Sequence, residues 1–250
     1  MTQRFAGKVA LVTGGAQGIG RAIVQAIADE GGSVGILDRA EDKAAEVAAA
    51  IVAQGGRAHA YGGNVADRDS FSSAIADLKQ RYGRFDIMVN NAIWVRYGPI
   101  ADITPEVLQR MVGTGFNSIV WGIQTAAEAM DDGGSIVNIA SAAAFIGMPQ
   151  GMVYCGVKAG ALGLSRAAAA ELGPRGIRVN SVCPGSIPTE GVGINVDAEK
   201  VRLRIAKTPM GRLGTVQDIA RAACFFASDD SRFVTGESML VDGGATQSFI

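Results

Sequence analysis

The stretch Lys8–Gly20, KVALVTGGAQGIG, decides the fold. It opens on a short, uninterrupted apolar run of the kind that suits a strand covered on both faces. It then turns directly into glycines and a helical pattern. The same unit recurs along the chain. Apolar runs lie at Lys8–Thr13, Ser33–Asp38, Arg57–Gly62, Phe85–Asn90, Ser135–Ala140, Ile177–Cys183 and Ser238–Val241. All but the last read as strands buried on both faces. Helical patterns alternate with them at Ile19–Glu30, Glu41–Gln54, Asp67–Arg81, Pro105–Met130, Tyr154–Leu172 and Val216–Ala227. Thr104 before Pro105-Glu106, and Thr215 before Val216, supply helix N-caps. Repeated strand–helix alternation implies an α/β fold. The expectation is a single doubly wound Rossmann-type domain over 1–250, with a central parallel sheet of about seven strands and helices on both faces. One long irregular segment, 186–214, is rich in Gly, Pro and charge, and reads as a substrate flap within that domain.

Composition narrows the function. The chain has 250 residues, 48% of them hydrophobic and 19% charged, enough for a full core. Lys and Arg number 23 against 24 Asp and Glu, so no basic excess exists to grip nucleic acid or an anionic membrane. The cysteines Cys155, Cys183 and Cys224 are far apart and odd in number, which reads as buried thiols in a reducing compartment. His59 is the only histidine, so His-rich metal sites are excluded, as are Ser-His-Asp and Cys-His nucleophiles that do not use it. No metal site is expected. The first apolar run is too short for a signal peptide. Two uncharged stretches, Met111–Ala127 and Gly133–Val157, read as protein interior, because the longer one carries Asn138, Ser141, Pro149 and Gln150. A cytoplasmic location without membrane contact is expected.

The glycines of Thr13–Gly20 sit where a strand turns into a helix. There they let the backbone approach a pyrophosphate whose charge faces the helix N-terminus. The spacing is G-x-x-x-G-x-G, and a purely structural turn is the alternative. At the end of the second run, Asp38 is placed either to accept hydrogen bonds from ribose hydroxyls or to cap the following helix. A 2′-phosphate ~4 Å from that carboxylate would be opposed by about 4 kcal/mol at an effective dielectric of ~20, which favours NAD over NADP. Arg39 opposes this, since its guanidinium can stack on adenine and tolerate a phosphate.

In the second half, Ser141 follows the fifth run, and Tyr154 and Lys158 lie four apart at the start of a helix, hence on one face. A phenol of reference pKa ~10 becomes a usable base where an adjacent ammonium stabilises the phenolate. Ser141 can hold a substrate oxygen while Tyr154 exchanges its proton.

With these motifs in order, the chain resembles the short-chain dehydrogenase/reductase family in its branch of about 250 residues. The match runs from TGGAQGIG through Asn90-Asn91-Ala92, Ser141, Tyr154-Cys-Gly-Val-Lys158, and Pro184-Gly185 with Thr189, to TGESMLVDGG. The resemblance implies Ser141, Tyr154 and Lys158 as catalytic residues. It implies Gly14, Gln17, Gly18 and Ile19 at the pyrophosphate and adenosine, and Asp38 at the ribose with Arg39 beside it. Asn64 and Val65 would lie at adenine, and Asn91, Ala92, Pro184 and Gly185 beside the cofactor. Ile187 and Thr189 would reach the nicotinamide carboxamide, and Lys158 the nicotinamide ribose. Three positions depart from the family pattern. Asn64 stands for the usual Asp. Ile93 stands for Gly in N-N-A-G. Gly115 occupies the place of the catalytic Asn, with Asn117 about 200° further round the helix.

By the same resemblance, Ile93, Trp94, Val95 and Arg96, the segment Ala142–Met152 and the flap would wall an apolar substrate cavity. The helical patterns at 105–130 and 154–172 are apolar around much of their circumference, which implies a further covered side, and the resemblance implies that a homotetramer covers it. The expected function is NAD-dependent interconversion of a secondary alcohol and a ketone, with a small-molecule alcohol or ketone as substrate. Two rivals remain: an NADPH-dependent 3-ketoacyl-carrier ketoreductase, and a non-catalytic dinucleotide-binding regulator.

Overall fold

The computed structural model describes residues 3–190 and 197–248. Residues 191–196 of the expected flap lie outside the described residues. Seven strands form one parallel sheet in the order β3-β2-β1-β4-β5-β6-β7. They are β1 (Val9–Thr13), β2 (Ser33–Asp38), β3 (Arg57–Gly62), β4 (Ile87–Asn90), β5 (Gly134–Ile139), β6 (Ile177–Pro184) and β7 (Ser238–Val241). The helices are α1 (Gly18–Asp29), α2 (Glu41–Ala53), α3 (Arg68–Tyr82), α4 (Pro105–Val112), α5 (Ser118–Ala129), α6 (Met152–Leu172), α7 (Ala198–Ala206) and α8 (Val216–Ala227). Strand order runs outward from β1 on one side and from β4 on the other. The two strands pair in register from Ala10–Ile87 to Val12–Val89. Chains leaving their carboxyl ends therefore part in opposite directions and leave a crevice there, the usual ligand position in such sheets.

Alternation along β1 divides the core. Ala10 and Val12 pack with Ile23, Val24 and Ile27 of α1, Ala44 and Ile51 of α2, and Ile219 and Ala223 of α8. Val9 and Leu11 face the other layer, with Phe71, Ile75 and Leu78 of α3, Ala126 of α5 and Ala169 and Leu172 of α6. β3 is an edge strand and half-exposed, so Arg57–Gly62 is not covered on both faces as its sequence suggested.

The run Pro105–Met130 is not one α-helix: Gly113–Asn117 forms a π-helical turn between α4 and α5. Two glycines and two β-branched or aromatic residues in GTGFN weaken the α-helical ladder there. The flap is not wholly irregular either, since α7 lies within it. Asp197 caps α7 by accepting the Glu199 N–H, and Glu199 pairs with Arg202 at 2.8 Å. No helix among the described residues is long and apolar enough to cross a membrane.

Candidate active site

The crevice beyond β1 is shaped by main chain. Gly14 and Gly18 adopt φ of +65° and +56°, the left-handed region that favours glycine. At Gly20 a Cβ would run into the carbonyl oxygen of Gly14, and would stand 2.6 Å from Asn91 Nδ2. Gln17 precedes α1 without a side-chain cap, and no acidic residue occupies the first turn. By contrast, Asp67, Thr104, Asp197 and Thr215 cap α3, α4, α7 and α8 with their side chains. The α1 N–H groups are thus left for an external anion, and the glycines keep the approach clear. These residues fit a dinucleotide pyrophosphate.

Asp38 ends β2, and both its oxygens are held: Oδ2 accepts the Ala16 N–H at 3.1 Å and Oδ1 the Ala40 N–H at 3.0 Å. Asp38 does not cap α2, whose N-cap is Ala40 and has no side-chain cap bond; it braces the glycine turn and the Ala40 N–H, and keeps lone pairs for further donors. Arg39 is exposed and forms no ion pair among the described residues. Asn64 Oδ1 accepts the Ala66 N–H at 3.1 Å, an Asx turn that exposes the residue, while Val65 is buried in the core. Asn91 acts on the cradle itself. Its Nδ2 donates to the Thr13 and Gly14 carbonyls at 3.0 and 3.2 Å, while Thr13 Oγ1 accepts the N–H groups of Asn91 and Ala92. Gly185 is there for close approach, since a Cβ would stand 2.6 Å from Asp242 Cβ. Ile187 packs beside Gly214, and Thr189 stands opposite Gly18, with 3.5 Å between its Cβ and a Cβ built on the glycine.

The segment just past β5 and helix α6 carry the candidate reactive groups. Ser141 lies just past β5, and its Oγ accepts the Ala143 N–H at 3.1 Å. Helix α6 is set on the sheet by a buried polar chain: Asn90 Nδ2 donates to Asn138 Oδ1, and Asn138 Nδ2 donates to Ser165 Oγ, each at 2.8 Å. Ser165 is two turns beyond Lys158 on α6, so this chain fixes the rotation of Tyr154 and Lys158. Lys158 is 3% exposed and donates to the Ile139 carbonyl at 2.6 Å, with Nζ 5.9 Å from the Tyr154 ring centroid. Burial pushes its pKa down to about 8. Burial also raises the Tyr154 phenol, while the hydroxyls of Ser141 and Tyr97 act to lower it. Among the protein's own groups, then, desolvation outweighs the lowering expected from Lys158, whose ammonium is directed at a carbonyl.

Gly115 is buried in the π-helical turn and Asn117 is exposed, so Asn117 does face elsewhere. Of the expected wall, Trp94 is engaged by Arg110, whose guanidinium lies 4.2 Å over its ring. Phe145, Ile146 and Met152 are exposed. The sequence reading missed Tyr97. Its ring meets Tyr154 edge to face, 5.5 Å between centroids at 76°, and burial followed by the neighbouring Tyr154 pushes its phenol upward. An aromatic four residues past Ile93, in the same short loop, was the signal available. No cluster of three metal-ligating side chains occurs among the described residues.

Known proteins share this plan. A family model described as enoyl-(acyl carrier protein) reductase matches residues 14–246. An L-2,3-butanediol dehydrogenase of Corynebacterium glutamicum is 37% identical, covering 95% of this chain and 98% of its own. An L-rhamnose 1-dehydrogenase (NAD(P)(+)) of Azotobacter vinelandii is 38% identical over 95% and 96%. The crystal structure of a short-chain type dehydrogenase/reductase from Mycobacterium marinum, 35% identical, superposes with a TM-score of 0.92 over 98% of both chains. Glycine cradle, sheet order, the Ser141–Tyr154–Lys158 set and these likenesses agree: the chain belongs to the short-chain dehydrogenase/reductase family, oxidoreductases of CH–OH donors that use a nicotinamide dinucleotide.

Proposed function

We propose that the protein is an NAD-dependent dehydrogenase that interconverts a secondary alcohol and a ketone. The observation that carries this is Lys158, buried to 3% exposure on the same helix face as Tyr154, with Ser141 beside the phenol at the end of β5. A buried ammonium without a carboxylate partner is expensive to keep and has a chemical use here. When bound, the nicotinamide supplies hydride exchange at the substrate carbon. Ser141 Oγ holds the substrate oxygen by a hydrogen bond, and Tyr154 Oη gives or takes the proton on that oxygen. Lys158 holds positive charge behind the phenol and would bind the nicotinamide ribose. The exposed apolar side chains Phe145, Ile146 and Met152 suit a bulky or cyclic substrate.

Asp38 supports NAD as the preferred dinucleotide. Its carboxylate is pinned by two N–H groups and cannot swing away from a 2′-phosphate without breaking both. Exposed small residues on α6, among them Gly156, Ala159, Ala167 and Ala170, support a homotetramer packed through α4, α5 and α6. The deciding experiment measures reduction of NAD and of NADP against a panel of aliphatic, cyclic and hydroxy-acid secondary alcohols, with sizing at micromolar concentration alongside. Turnover of cyclic or branched alcohols with NAD by a tetramer is expected. Faster reduction of NADP at equal concentration would overturn the cofactor assignment, and a monomer would overturn the assembly.

A further inference from the structure

We infer that Ile93 and Gly115 act as one steric unit that sets the catalytic helix against the dinucleotide cradle, with Ile93 a positioning residue. This rests on the active-site reading above. Gly115 is buried in the π-helical turn. A Cβ there would stand 2.6 Å from Val157 Cγ1, and 2.9 and 3.2 Å from Ile93 Cδ1 and Cγ1. Packed carbons sit about 3.5–4.0 Å apart, so no side chain at 115 coexists with both neighbours as placed. Val157 is 5% exposed and immediately precedes Lys158 on α6.

The other end of Ile93 belongs to the cradle. Ala92, its chain neighbour, donates its N–H to Thr13 Oγ1 at 3.1 Å, and the Ala92 Cα stands 3.0 Å from where a Cβ on Gly14 would be. The next residue, Trp94, donates its N–H to Thr114 Oγ1 at 3.1 Å, and that hydroxyl donates to the Arg110 carbonyl. The loop after β4 is thus pinned at one side to the glycine turn and at the other to the π-helical turn, and Ile93 is the wedge between them.

The two departures noted in the sequence are complementary in volume: a branched side chain is gained at 93 and a side chain is lost at 115. Glycine inside a helix weakens it by about 1 kcal/mol against alanine, through backbone freedom. Contact of Ile93 and Val157 over the bare Cα restricts that freedom. Residue 115 then offers the site backbone groups only, and Ile93 holds them in place.

The test uses the holoenzyme on the best alcohol from the panel, with NADH affinity followed by nicotinamide fluorescence. Gly115→Ala should lower kcat about tenfold, the scale of overpacking in a filled core, with KM and NADH affinity nearly unchanged. Ile93→Gly should lower kcat several-fold, and Ile93→Val should lose less than Ile93→Gly. The exchange Ile93→Gly with Gly115→Asn should run faster than the product of the single effects predicts. Wild-type kcat in Gly115→Ala, or singles that multiply in the exchange variant, would overturn the unit. If Gly115→Ala does not fold, Gly115→Ala with Ile93→Gly and Val157→Ala, which clears both neighbours, decides: recovered folding and turnover supports the unit, and no recovery overturns it. Failure of the active-site reading is distinguishable, because it would show as retained turnover in Tyr154→Phe.

Discussion

The proposed dinucleotide cradle is fitted closely together by bare glycines and by side chains that bond main chain, whereas the proposed substrate mouth presents exposed side chains. At the cradle, Gly14, Gly18 and Gly20 leave room by having no side chain, and Asp38, Asn91 and Thr13 spend their polar atoms on backbone N–H and C=O groups. At the mouth, Tyr97, Phe145, Ile146 and Met152 stand 45–54% exposed, held by few partners. A common ligand is bound by groups every residue carries, so its site tolerates no added atom. A variable ligand is bound by side chains, which can be exchanged without disturbing the sheet. Tyr154 and Lys158 lie between the two regions on α6.

The sharpest break in this comparison is at its centre. Tyr154→Phe removes one oxygen from the junction and should lower kcat by the ~10² to 10⁴ typical of a general acid/base, while NADH titration shows affinity unchanged. Retained turnover would move the chemistry elsewhere.

Lys158 provides the next largest effect, on stability. Its pKa of about 8 in the folded chain lies below the ordinary 10.5, so folding disfavours the charged form. Below pH 8 the lysine is charged in both states and the folded protein bears the full penalty, on the order of 3 kcal/mol at ~1.4 kcal/mol per unit. The penalty fades as pH rises from 8 to 10.5. Lys158→Met should therefore raise the melting temperature at pH 7 and flatten its rise above pH 8, with activity lost. Parallel melting curves for the two proteins across that range would refute the assignment.

A matched pair then compares the two regions directly. Gly20→Ala adds one methyl against the Gly14 carbonyl and should lose roughly 1–3 kcal/mol of stability and weaken NADH binding, read by thermal melts and fluorescence titration. Phe145→Ala removes a whole ring from the mouth and should change stability by no more than about 0.5 kcal/mol, as exposed positions do. Its effect should fall on KM for a bulky alcohol, about fivefold for ~1 kcal/mol of lost apolar contact. If the methyl proves harmless and the ring essential for folding, the contrast between cradle and mouth is wrong.

Legibility in the sequence follows the same division. Strand and helix limits read from apolar runs fall within two residues of those observed, except where GTGFN interrupts the long helix. Gly14, Asp38 and Ser141 were readable because each lies at the carboxyl end of a strand or within two residues past it, so its place in space is set by its place in the chain. Tyr154 and Lys158 were readable because helical spacing alone puts them on one face. Tyr97 was not, because its meeting with Tyr154 joins residues 57 apart through the packing of the loop after β4 against α6. Helix α7 was missed for a related reason: its nine residues carry no buried face, so no periodic apolar signal marks it.

What the sequence by itself determined is the sheet, the glycine turn and the order of the three side chains proposed to react, since these depend on local period and on backbone freedom. The burial of Lys158, the phenol pair Tyr97–Tyr154 and the shared volume of Ile93, Gly115 and Val157 were decided only by tertiary structure. Desolvation and steric exclusion depend on which atoms from distant parts of the chain fill the same few ångströms, and no spacing along the chain encodes that.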